Sequence, residues 1–168
     1  LLSRRQRQMC IRDRNYYNRR TREFKWYRPQ EGRNSISHNN VKALYYDADK
    51  EIIWIGTHLG GLNKLDIRSG HFTHYRMEGN NPQSLPSDII RDITPYKDLL
   101  IIATQNGVCL FNPANGQCRQ LFKDSKEGKS IKMVADVVFD SEGTLWIAAT
   151  GEGVFSYRFD TRKLTNYR

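Results

Sequence analysis

The sequence predicts an all-β chain, a partial β-propeller of about three four-stranded antiparallel blades plus part of another. Three observations carry that prediction. One pattern is written three times, as IIWIGTHLGGLNKLDIRSGHFTHYR over 52–76, LIIATQNGVCLFNPANGQCRQLF over 100–122 and LWIAATGEGVFSYRFDTRKLTNYR over 145–168. The tail of a further copy, YNRRTREFKWYR, opens at Tyr17. Its anchors recur steadily: Trp54, Ile101 and Trp146 stand 47 and 45 residues apart, and Tyr27, Tyr75, Leu121 and Tyr167 stand 48, 46 and 46 apart. No stretch of useful length shows helical periodicity, whereas each unit is filled with short β-type runs. A period in the forties built of short strands marks stacked or radial β-repeats. One such unit cannot bury its own faces and needs neighbours on both sides. Blades or remnants are therefore expected at about 16–28, 40–76, 89–122 and 134–168. Together they form an incomplete propeller over 16–168, whose partners include the remaining blades of the same ring.

The second unit shows how each element arises. Val41, Leu44 and Tyr46 lie in a short apolar run that suits an innermost strand. Asp47 to Lys50 is a polar turn. Ile52 to Thr57, IIWIGT, is almost continuously apolar, as expected of a strand covered on both faces. Gly60 and Gly61 mark a tight turn. Leu62 to Asp66 is a third strand, Arg68 to Gly70 a hairpin turn, and Phe72 to Tyr75 an outer strand with alternating character. Ile90 and Ile93, then Val134 and Val137, repeat the inner strand. The loops between blades share a refrain, RNSIS at Arg33, PQSLP at Pro82 and GKSIK at Gly128. Its serine is expected to cap a turn while Ile36, Leu85 or Ile131 plugs the gap between blades. Trp54 and Trp146 sit inside apolar runs and are expected to pack between blades rather than stack on a ligand.

The net charge of +9 resembles a nucleic-acid signal, but residues 1–22 alone hold eight arginines and one aspartate. The other 146 residues hold 19 basic and 17 acidic side chains. A binder of nucleic acid spreads a basic stripe over a folded face, so no direct nucleic-acid contact is expected. The repeat fails in LLSRRQRQMCIRDR, and residues 1–15 read as a non-native or disordered N-terminal run. Cys10, Cys109 and Cys118 lack metal-ligand spacing. Cys109 and Cys118 flank the turn from Asn112 to Gly116. They are either a cross-strand disulfide, which needs an oxidising compartment, or two small hydrophobes, with Cys118 at the position of Phe72. The sequence favours the second alternative.

No catalytic or metal motif is found among His38, His58, His71 and His74 or the scattered aspartates. No catalytic residue, metal or cofactor is therefore assigned. The run from Asp140 to Trp146 approaches the Asp box of sialidase-type propellers, but Asp140 stands three residues before Gly143 instead of two. It reads as an ordinary hairpin turn. What remains is surface for binding. Strands of an up-and-down blade alternate in direction, so the inter-blade loops and the loops between second and third strands open on one face. That face is expected to gather Arg33, Asn34, His38, Asn39, His58, Gln105, Asn106 and Glu152 as ligand-binding candidates. These are polar, mixed-charge side chains suited to sugars.

WIGTHLGGLNKLDIRSGHFTHYR, preceded by SISHNNVKALYYD and followed by NNPQSLPSDIIRDI, resembles the two-component regulator propeller repeat. Asn81-Pro82, Ser84-Leu85, Trp54 to Thr57, Gly60 to Asn63, Asp66, Gly70, Phe72 and Tyr75 carry the resemblance, which extends over 16–168. The unit around Ile101, Ala103 and Cys118 departs from it. The resemblance implies the periplasmic sensor region of a hybrid two-component system of Bacteroidetes type, sensing an oligosaccharide and controlling transcription of polysaccharide-utilisation genes. It also implies a membrane-anchored, homodimeric parent with histidine-kinase activity outside this segment, which is itself no enzyme. Two alternatives stay open: a non-catalytic propeller scaffold or sensor of another signalling protein, and a propeller lyase or glycosidase.

Overall fold

The computed structural model describes residues 14–125 and 128–167. Of the run 1–15 predicted to be non-native or disordered, residues 1–13 lie outside the described residues, while Arg14 and Asn15 already belong to the first strand. That strand, β1 (Arg14–Asn18), pairs with β2 (Glu23–Tyr27) in a two-stranded hairpin. The second blade is a four-stranded sheet of β3 (Val41–Asp47), β4 (Ile52–Thr57), β5 (Leu62–Asp66) and β6 (Phe72–Tyr75). The third holds β7 (Ile90–Tyr96), β8 (Leu99–Thr104), β9 (Gly107–Asn112) and β10 (Gln117–Gln120), and the fourth β11 (Val134–Phe139), β12 (Leu145–Ala149), β13 (Gly153–Arg158) and β14 (Lys163–Tyr167). Every pairing is antiparallel and joins strands consecutive in the chain. The described helical structure is one 3-10 turn at Gly128–Ser130. The chain is thus all-β, a partial propeller of three complete blades and the outer half of another.

The inner strands β3, β7 and β11 are neighbours, so the blades stand face to face. Each carries a bulge near its start, between Val41 and Ala43, Ile90 and Asp92, and Val134 and Asp136. A bulge adds local twist and re-aims the strand. Gly56 in β4 lies against Ile90 of the next blade, where a Cβ would collide with that side chain. β4 and the inner strand β7 approach closely because glycine stands there.

The apolar side chains form three layers, one per blade junction. Between second and third blades lie Ala43, Trp54, Leu62, Ile90, Ile93, Ile102 and Phe111. Between third and fourth lie Ile101, Ala103, Leu110, Val137, Leu145, Ile147 and Phe155. Val41, Ile55, Leu65 and Phe72 meet Tyr27 of the first hairpin. Ile36, Leu85 and Ile131 are buried at 2%, 2% and 4% exposure, the plugging role predicted for them. The serines of the first two loops close the turns as expected: Ser35 Oγ accepts from Gln30 N at 2.8 Å, and Ser84 Oγ from Glu78 N at 2.9 Å. Leu44 and Tyr46, on the face shared with Ile55, are exposed, since among the described residues the first blade supplies only its outer strands there.

The two tryptophans part company. Trp54 is 1% exposed and meets Phe111 of the third blade edge-on at 5.5 Å. Trp146 holds the equivalent place in the fourth blade and touches Tyr167 as Trp54 touches Tyr75. It is only half-buried, because no described residues stack on that blade's outer face. The turn before it is a hairpin turn, as predicted, yet it ties the tryptophan in. Asp140 Oδ1 accepts from Glu142 N and Thr144 N, each at 2.9 Å, and Oδ2 accepts from Trp146 Nε1 at 2.8 Å.

Cys109 and Cys118 are joined in a disulfide, with Cα atoms 6.0 Å apart. The favoured reading of two unlinked hydrophobes is corrected. The sulfurs are buried small fillers, as that reading held, but β9 and β10 bring them within bonding reach on one face. They occupy the places of Asn63 and Phe72 in the second blade and of Phe155 and Leu164 in the fourth. One structural position is thus filled in three chemical ways.

Candidate functional site

The site is built from the turns between second and third strands. Thr57, fully buried, donates its hydroxyl to Gly61 O at 2.9 Å, and Thr104 donates to Gly107 O at 2.8 Å. Gly61 adopts φ +71°, and a Cβ there would strike the carbonyl oxygen of Tyr75. These locks fold the loops tightly and present them to the neighbouring inter-blade segments.

Main-chain hydrogen bonds then link the loops along one rim. His58 N donates to Asn40 O, and His58 bridges to Ile89 at the start of the third blade. Leu59 N and Gly61 N donate to Asp88 O. Gln105 N donates to Ile89 O, Met133 N to Gln105 O, and Thr150 N to Met133 O. The run passes from the second blade to the fourth on fixed backbone, the setting in which loop side chains are held for binding.

His38, Asn39, His58, Gln105, Asn106 and Glu152 all lie in these rim segments. His38 Nδ1 accepts from Asn40 N at 3.1 Å. Asn106 Nδ2 donates to Pro86 O at 3.3 Å, and its carbonyl accepts from Gln120 Nε2 at 3.0 Å. The structure does not bring Asn34 to the rim. Its Oδ1 accepts from Phe72 N at 2.6 Å and its Nδ2 donates to Gly70 O at 2.9 Å, at the end of β5 opposite Gly61. The inter-blade loop descends along the outer strand before it rises to the rim, so its first half serves the far end of the blade. Arg33 goes with Asn34, its Nη1 donating to Gln30 Oε1 at 3.2 Å.

Between third and fourth blades the rim opens into a cavity of about 270 Å³ lined by Asn106, Gln120, Lys123, Lys129 and Lys132 over Leu121 and Ile131. Lys123 and Lys132 escaped the residue pattern because they follow no motif; the signal was a local run of lysines in one inter-blade loop. A larger groove, about 530 Å³, runs along β10 and shares Gln120 and Lys123 with this cavity. On the inner strands, burial pushes the Asp92 carboxyl up, with the Asp136 charge adding to it, although Thr94 Oγ1 stands 3.0 Å from Asp92 Oδ2. Hydrogen bonds, chiefly from Trp146, hold Asp140 below the usual carboxylate range. Among the described residues no three His, Cys, Asp or Glu side chains gather to hold a metal, and no helix is long and apolar enough to cross a membrane.

The family model of the two component regulator propeller matches residues 35–58, which run from the refrain serine through β3 and β4. No curated protein matches the chain by sequence. Among solved structures, the extracellular domain of a candidate hybrid two component system from Bacteroides thetaiotaomicron superposes with a TM-score of 0.78 at 21% identity, over 88% of this chain and 21% of that one. A second such domain from the same organism gives 0.71 at 22% identity, over 86% and 20%. An auxiliary nutrient binding protein of that organism gives 0.59 at 16%, over 76% and 30%. The chain spans about one fifth of the length of the first two structures. At these identities the likeness shows the fold, and the repeat match gives the fold its sequence signature. The chain thus carries a two-component regulator propeller repeat in the second blade of a partial β-propeller, the fold of extracellular domains of hybrid two-component systems.

Proposed function

We propose that the chain is an oligosaccharide-sensing, non-catalytic segment of a hybrid two-component sensor that controls transcription of polysaccharide-utilisation genes. The observation that carries this is the rim, where polar side chains from three blades are held on one continuous run of main-chain hydrogen bonds. Rigid polar loops of this kind orient hydroxyl-rich ligands. The propeller likeness to extracellular domains supports a periplasmic placement, and the buried disulfide suits an oxidising compartment. The parent would be a membrane-anchored homodimer whose kinase lies outside this segment, with the remaining blades covering Trp146, Val138 and Val154.

Calorimetric titration of the chain with neutral and acidic oligosaccharides tests the reading. Saturable binding is expected, weakened by His38→Ala and Asn106→Ala, with the saccharide recovered at its original length. Shortened saccharide would favour the lyase or glycosidase alternative. Absence of binding across the panel would leave the scaffold alternative standing.

A further inference from the structure

The cavity between third and fourth blades differs from the equivalent places at the other junctions. Counting from the plug residues Ile36, Leu85 and Ile131, Lys129 stands where Gln83 and Asn34 stand, and Lys132 where Pro86 and Ser37 stand. Counting from Tyr27, Tyr75 and Leu121, Lys123 stands where Met77 and Pro29 stand. The fold therefore works at these three positions without a cation. Among the described residues, this junction puts three lysines around one concavity.

All three lysines are exposed, so keeping their charges costs the chain little. Among the described residues none of the three makes an ion pair. Asp124 does not line this cavity but lies with Lys123 in the groove along β10, so Lys129 and Lys132 are the two lysines confined to the cavity. The floor is apolar, with Leu121 9% and Ile131 4% exposed, and the amides of Asn106 and Gln120 complete one wall. Gln120 is fixed there by its bond to Asn106 O. An apolar floor, amides on one wall and three lysines lining the same concavity match a sugar ring bearing an oxyanion: the ring lies on the floor while the anion meets the lysines.

We infer that this cavity receives the anionic substituent, a carboxylate or a sulfate, of an acidic saccharide. The inference rests on the saccharide-sensing reading and narrows its ligand class. The test is a titration of the full chain with four probes: a neutral oligosaccharide, a uronate oligosaccharide, a sulfated oligosaccharide and inorganic sulfate. It is repeated with Lys129→Gln/Lys132→Gln and with Lys129→Arg/Lys132→Arg. An acidic saccharide is expected to bind, to weaken by about tenfold in the glutamine variant and to recover in the arginine variant, since the lost charge-assisted contacts are exposed and screened by solvent. The uronate and sulfate arms show which oxyanion is taken. Equal binding of neutral and acidic saccharides, unchanged in the glutamine variant, would overturn the inference and leave saccharide sensing intact. Binding of inorganic sulfate without any saccharide would overturn the saccharide reading, and the ligand class with it. Binding of none of the four would overturn both.

Discussion

Removing the Cys109–Cys118 bond is the sharpest test of how the third blade is held. The cysteines are nine residues apart, so the bond closes a short loop. The chain-entropy relation then assigns it about 2.6 kcal/mol of restriction on the unfolded chain. For a protein of this size that corresponds to a melting shift of roughly 5–10 °C. Reduction should therefore destabilise the chain, and the Cys109→Ala/Cys118→Ala variant should melt lower still, since it also loses buried sulfur at two nearly inaccessible positions. Two assays decide it. Alkylation of the unreduced, denatured chain should label one thiol, Cys10, and labelling after reduction should reach all three. Thermal denaturation with and without reductant should show the shift. Three reactive thiols without reductant, or superimposable melts, would refute the reasoning. A transplant from the second blade separates covalent from packing terms. Asn63 there donates to Ile55 O at 3.4 Å and accepts from Ser37 N at 2.9 Å. In the third blade Pro86 stands where Ser37 does and has no N–H to give. Cys109→Asn/Cys118→Phe should therefore leave the new amide oxygen unsatisfied and rescue little, whereas the same pair with Pro86→Ser should regain more.

Other outcomes follow from the packing and the charges. Trp54→Ala should cost about 3–5 kcal/mol, measured by urea denaturation, because the ring is wholly buried between blades; Trp146→Ala, at a half-buried position, should cost about 1–2 kcal/mol. Gly61→Ala should cost about 2 kcal/mol or more in the same assay, since a side chain there is strained at positive φ and meets Tyr75. Asp92 has its folded-state pKa raised from the ordinary 3.8, so its ionisation opposes folding, and stability falls as pH rises through that folded value. Asp92→Asn should melt higher than the parent at neutral pH, with the difference closing on acidification below 3.8. Asp140 has its pKa lowered from the same value, so its contribution is complete above 3.8 and lost as pH falls through its folded value. Asp140→Ala should melt lower at neutral pH and match the parent at low pH.

The blades were legible in the sequence because burial on two faces leaves a one-dimensional trace. IIWIGT, LIIAT and LWIAA need neighbours on both sides, and only a face-to-face array of sheets supplies them. The plugs Ile36, Leu85 and Ile131 were legible for the same reason: a lone apolar residue in a polar loop must go somewhere dry. The candidate site was legible only in part. Strand alternation placed the turns at Gly61 and Gly107 on one rim, but an inter-blade loop of a dozen residues crosses the full height of a blade. Its position in sequence therefore does not say which end a side chain serves. Asn34 shows this, standing four residues before the rim residue His38 and spent on Phe72 at the other end. The disulfide was hidden by a different cause. Each blade solves the same packing position separately, with Asn63 and Phe72, then two cysteines, then Phe155 and Leu164, and the solution depends on a distant residue. Where Ser37 offers an amide hydrogen, an asparagine is satisfied; where Pro86 offers none, a group without hydrogen-bond demand is required. Two sulfurs meet that demand whether bonded or not, so only the geometry of β9 and β10 distinguishes the two states. The repeat conserves the shape of the position rather than its chemistry. The same independence let the junction between third and fourth blades acquire three lysines that the other junctions lack, without disturbing a strand.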